Sequence, residues 1–148
     1  MLTKLTHLTL FVNDQEKSLE FYKKLGFIVH TDAAFGAMRW LTLCLSHDKD
    51  FELVLMAAES EIEKDLVGIQ GGDKPFFTLA TDDCKGDYER FKNLGVTFVQ
   101  EPKDEPWGIS MACTDIDPSL GHLSFPYMLT SSKLNFLFSL PSRIRSSR

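Results

Sequence analysis

An α+β fold of two tandem βαβββ modules is predicted by this sequence, and three observations predict it. A strand–helix–strand pattern that opens the chain is written again 69 positions later. Each copy carries an acid before the helix and a glycine after it at the same interval. Each copy is followed by two further runs of strand-forming residues.

The first segment, Leu5 to Val12, alternates apolar and polar positions, as a strand with one buried face does. Asn13 with Glu16 three residues on is a capping-box pattern and predicts a helix start. Leu19, Tyr22 and Leu25 then recur at helical spacing, and Gly26 supplies a left-handed stop before the strand-forming Phe27, Ile28 and Val29. In the second half Leu79 answers Leu10, and Asp83 answers Asp14. Tyr88, Phe91 and Leu94 answer the helix stripe, and Gly95 answers Gly26. VTFV at 96–99 answers the strand beyond the glycine.

Two more strands complete each module. In the first they are Met38–Leu45 and Phe51–Met56, joined by the polar turn SHDKD. In the second they are Ile109–Thr114 and His122–Tyr127, joined through Asp115, Asp117, Pro118 and Gly121. Between the modules Glu59–Leu66 reads as a short acidic helix, and Gln70–Lys74, with its Gly71–Gly72 pair, as a linker. Module one is thus 1–58, the linker 59–73 and module two 74–125, one domain over 1–125. Residues 126–148 form an atypical basic tail. Its four cations and lack of acids leave the body up to residue 125 at −9, against −5 for the whole chain. Within it LNFLFSL at 134–140 reads as an extra strand and SRIRSSR as disordered, or the tail is a terminus with no evolved role.

A chain of 148 residues, 43% hydrophobic and 25% charged, has the make-up of an ordinary soluble domain. The negative balance leaves no basic surface for nucleic acid. No run approaches the roughly 18 apolar residues that span a bilayer, and the start lacks a secretory h-region. Three separated cysteines without a CxxC pair point to reduced thiols and a cytoplasmic location. Cys44 and Cys113 lie in apolar runs, where an inert buried thiol is expected, and Cys84 opens the second helix. There is no phosphate-binding loop, dinucleotide fingerprint or nucleophile elbow.

The duplicated unit resembles the vicinal oxygen chelate superfamily, which includes glyoxalase I, extradiol dioxygenases, and fosfomycin- and bleomycin-resistance proteins. The resemblance spans roughly 1–125. It rests on THLTLFVNDQEKSLEFYKKLGF, FGAMRW followed by FELVLM, LATDDCKGDYERFKNLGV and the closing TDIDPSLGHLSF. It implies two half-barrel sheets around a small-molecule cavity and a homodimer. It also implies, in metal-dependent members, one ligand on the first and one on the fourth strand of each module. Inward residues on facing strands can bring imidazole nitrogens and carboxylate oxygens to about 2.0–2.2 Å from one cation.

Carried over, the resemblance puts His7 and Glu52 at the two ligand positions of module one. In module two the same positions fall on Phe76, which cannot bind metal, and Ser124, a weak ligand. His122 shares a strand face with Ser124 and becomes a third ligand if the register shifts. Without metal, His7 and Glu52 form a hydrogen-bonded pair in a solvated cavity. His30 and His47 are expected at the surface. Arg39 and Trp40 would offer charge and a stacking surface to an anionic or aromatic ligand, Trp107 the matching edge of module two, and Phe76 with Phe77 an apolar wall.

Two main readings follow. One is a binding protein that sequesters a small organic ligand in its cavity without a complete metal site. The other is a divalent-metal-dependent lyase, transferase or dioxygenase-like enzyme using His7 and Glu52, with zinc, nickel, manganese or iron as the ion. A third, partner binding without a ligand, would require a solid interior.

Overall fold

The computed structural model describes residues 1–72 and 74–114, and the backbone of 126–130. Module one runs β1 (His7–Val12), α1 (Gln15–Lys24), β2 (Phe27–Phe35), β3 (Met38–Leu45) and β4 (Asp48–Ala57). A short α2 (Glu61–Leu66) follows. Module two runs β5 (Phe77–Thr81), α3 (Cys84–Asn93), β6 (Phe98–Glu105), β7 (Gly108–Cys113) and β8 (Pro126–Thr130). The strands form two open four-stranded sheets, ordered β1-β4-β3-β2 and β5-β8-β7-β6. In each, the first strand lies parallel to the last and the remaining pairs are antiparallel. The predicted duplicated βαβββ architecture is therefore the observed one.

Several boundaries differ from expectation. The cap of α1 is Asp14, not Asn13: its carboxylate accepts from the Glu16 and Lys17 amides at 3.0 and 3.1 Å. Asp83 caps α3 in the same way, accepting from the Gly86 amide at 2.9 Å. A side chain at Gly86 would start 2.1 Å from that carboxylate, so the Asp83 side chain would have to shift to admit one. The acidic helix does carry a capping box, between Ser60 and Glu63. The fourth strand of module two was expected at His122–Tyr127; it is Pro126–Thr130, past residue 125, and residues 122–125 lie outside the described residues. The segments 134–140 and SRIRSSR lie outside them too.

The stop glycines behave as predicted, with φ of +95° at Gly26 and +81° at Gly95. Beyond each of them the outer strand carries a β-bulge, between Val29 and Thr31 and between Phe98 and Gln100, again 69 positions apart. Strand β6 has a second irregularity, between Gln100 and Lys103.

Packing follows the alternation. Leu10 and Val12 of β1, Leu41 and Leu43 of β3, and Leu53 and Leu55 of β4 bury one sheet face against Leu19, Tyr22 and Leu25. The same cluster continues through Tyr88, Phe91, Met111 and Cys113, so the two modules share one core. Tyr22 reaches Phe77 across the junction, ring centroids 6.5 Å apart. All three cysteines are buried and outside any disulfide among the described residues, and burial pushes the Cys44 thiol up, away from nucleophilic thiolate. Among the described residues no helix is long and apolar enough to cross a membrane.

Three polar ties hold the elements in place. Gln15 donates from its amide to the Leu55 and Arg39 carbonyls at 2.8 and 3.2 Å, docking α1 on the sheet. Arg39 forks onto both Asp32 oxygens at 2.8 and 2.7 Å and also contacts Glu16 of α1. Gln70 lies along the outer edge of β1, accepting from the Phe11 amide at 2.7 Å and donating to the Thr9 carbonyl at 3.1 Å. Ser18, by contrast, is fully buried, and its hydroxyl has no hydrogen-bond partner among the described residues. Its repeat counterpart Asp87 accepts from Thr81, whose own counterpart in module one is the apolar Val12.

Three outcomes are expected from this fold. Asp14→Ala should cost about 1 kcal/mol in denaturant unfolding and Asn13→Ala close to nothing, because only Asp14 satisfies helix donors. Ser18→Ala should leave stability unchanged or raise it by up to about 1 kcal/mol, since an unmet buried hydroxyl is removed and helix propensity improves. The hydrogen bonds from Arg39 hold the Asp32 carboxyl below the usual carboxylate range. Stabilisation from this pair is therefore complete above the unfolded-state value and is lost as pH falls through Asp32's lower folded value. In Arg39→Met, carboxyl NMR should find Asp32 titrating in the ordinary range.

Candidate functional site

The alternation that buries Leu8, Leu53 and Leu41 sends their neighbours His7, Glu52 and Trp40 to the opposite sheet face. The parallel register sets His7 directly beside Glu52. His7 Nε2 stands 3.6 Å from Glu52 Oε1, and its ring centroid is 6.0 Å from that of Trp40. His7 Nδ1 shares a 2.9 Å hydrogen bond with the Thr6 hydroxyl, which fixes the ring. The predicted pair therefore exists, with an aromatic plate next to it.

His30 joins this group. Its Nδ1 lies 3.2 Å from Glu52 Oε2, so each oxygen of the carboxylate has an imidazole at ion-pair distance. Glu52 itself is mostly covered, at 15% side-chain exposure, whereas the two rings are about two-fifths exposed, at 41% and 37%. His30 was expected at the surface, and its edge is; what sequence missed is its contact with Glu52. Strict period-two counting breaks at the bulge between Val29 and Thr31, and His30 is the residue inside it. His47 lies exposed in its turn, as expected.

Other predicted residues do not join the group. Arg39 is adjacent to Trp40 in β3 and so faces the other way, toward α1, where Asp32 and Glu16 already meet its charge. Phe76 packs against the shared core, its ring centroid 6.4 Å from that of Phe77. Trp107 sits exposed at the tip of the β6–β7 hairpin. The place equivalent to Trp40 is held by Ser110: Trp40 is two residues beyond the pair Phe35–Met38, and Ser110 two beyond Glu105–Gly108. His122 and Ser124 lie outside the described residues.

A divalent ion in this family would need donors that converge. His7 and Glu52 provide two, but His30 approaches the same carboxylate through its other oxygen. Among the described residues no three His, Cys, Asp or Glu side chains are grouped to hold a metal ion. The described donors do not by themselves fit such an ion. The geometry does offer a carboxylate flanked by two imidazoles, able to exchange hydrogen bonds with a ligand laid against Trp40.

The sequence model of the Glyoxalase/Bleomycin resistance protein/Dioxygenase superfamily matches residues 4–119. An uncharacterized protein of Shewanella frigidimarina is 31% identical over 126 residues, 83% of this chain and 93% of that protein. Among solved structures, UcmS2 is 32% identical with a TM-score of 0.73, over 87% of this chain and 98% of its own. TnmS3, an antibiotic binding protein from Streptomyces sp. CB03234, is 25% identical with a TM-score of 0.70, over 87% and 96%. Sequence match, module topology and structural likeness agree: the chain belongs to the glyoxalase/bleomycin resistance protein/dioxygenase superfamily.

Proposed function

We propose that this protein binds a small organic ligand on the Trp40 face of module one, without a complete metal site. The observation that carries the reading is the engagement of both Glu52 oxygens by imidazoles, His7 on one side and His30 on the other. A carboxylate so flanked serves as a hydrogen-bonding station, and Trp40 beside it supplies a flat apolar surface. A ligand with an aromatic plane and polar substituents at its rim matches this combination. The antibiotic-binding activity named for the TnmS3 relative supports the same reading. A second copy of the chain, covering the open sheet, belongs to the proposal, as does a cytoplasmic setting in which its three buried cysteine thiols remain reduced.

A second reading, a metal-dependent lyase or transferase, draws on the direct His7–Glu52 register. It requires donors beyond those described, from His122, a partner chain or the substrate.

Metal analysis and ligand binding separate the two. Protein purified without affinity tag or chelator should carry far less than one divalent ion per chain. A panel of planar aromatic antibiotics, screened by thermal shift, should contain binders whose affinity falls about tenfold in Trp40→Ala, the scale of one lost stacking contact. About one tightly held ion per chain, released by His7→Ala, would instead establish the enzyme reading.

A further inference from the structure

A cavity of about 460 Å³ lies on the other side of sheet one, where the modules meet. Its walls include Phe27, Phe51 and Leu53 from module one and Phe77 through Ala80 of β5. Phe27, Leu53, Phe77 and Leu79 all belong to or pack against the shared core, which puts the cavity on the helix side. Phe51 and Leu53 flank Glu52 in β4, so alternation separates this space from the His7–Glu52–Trp40 face by the thickness of the sheet.

Two features give the cavity a chemical character. Three phenylalanine rings meet one charged group among its described lining residues, the exposed carboxylate of Asp48, which forms no ion pair among the described residues. Negative charge at the edge of an apolar, aromatic space favours a cation with a ring system attached, because both the carboxylate and the ring faces attract it. The strand edge adds a second element. Thr9 and Phe11 of β1 are bound by the Gln70 side chain. Their repeat counterparts Thr78 and Ala80 are exposed and line the cavity instead. The backbone of β5 is thus presented to whatever enters.

The geometry points to a second binding site, between the modules, for a compact aromatic amine. The ring system sits among Phe27, Phe51 and Phe77, and the protonated amine faces Asp48. The volume falls within the range of small-molecule pockets, and such pockets recur at junctions between structural units. This site is independent of the Trp40 face and does not rest on the function proposed for it.

The test compares 1-naphthylmethylamine, a cation at neutral pH, with the uncharged 1-naphthalenemethanol of nearly the same shape, on the full chain. The amine should bind saturably and about fivefold more tightly than the alcohol, the scale of one solvent-accessible charge contact. Asp48→Asn should bring the amine down to the alcohol's affinity. Ala80→Trp, which adds bulk from an exposed edge position, should abolish both, and Trp40→Ala should change neither. In the wild-type protein the amide resonances of Leu79 and Ala80 should shift with the amine, a readout that needs no variant to fold. Absence of saturation, unmoved Leu79 and Ala80 amides, or binding that follows Trp40 would each overturn the proposal.

Discussion

In each module the first strand lies in parallel beside the last, and a helix must cross over the sheet to allow this. That helix needs an apolar face beneath it, so every second residue of the sheet's strands is committed to the core: Leu10, Leu41, Leu43, Leu53 and Leu55 in module one. The residues between them have only the other face to occupy. The positions of His7, Glu52 and Trp40 are thus a consequence of burying leucines, and the same parallel register sets the imidazole beside the carboxylate. Because the helix-side clusters of both modules merge, a change in one module's core is felt at the junction and in the other.

Much of this was readable beforehand. Element order, both helix stripes and the stop glycines follow from periodicity and from the repeat, which are local signals reinforced by being written twice, whereas the His7–Glu52 pairing was implied by the family resemblance. The misreadings arise where two local choices are nearly equal in energy or where a count slips. Asn13 and Asp14 are both good caps by residue type, and the folded chain uses the second. The bulge at His30 breaks alternation without leaving a mark in composition. An added residue in β6 lengthens the offset from 69 to 70, so Trp40 is answered by Ser110, and Trp107 falls in the turn. Arg39 was grouped with Trp40 by sequence adjacency, although adjacent strand residues face apart.

The duplicated frame carries unequal chemistry. Module one presents two imidazoles, a carboxylate and an indole on its outer face. The described counterparts in module two, Phe76, Val99 and Ser110, carry no imidazole, carboxylate or indole. One half has kept, or acquired, the groups that can discriminate a ligand, while the other supplies core and frame. The superfamily is known here by its architecture, and architecture alone leaves chemistry open, so this inequality says more about function than membership does.

Gln70 has a further effect. A primary amide offers one acceptor and one donor at the spacing of a peptide unit, so the side chain imitates a passing strand along β1. An unoccupied strand border is a template on which identical chains can stack without limit, the route to fibres. With Gln70 seated there, growth of the sheet past β1 is blocked, and association from that side cannot propagate into a polymer.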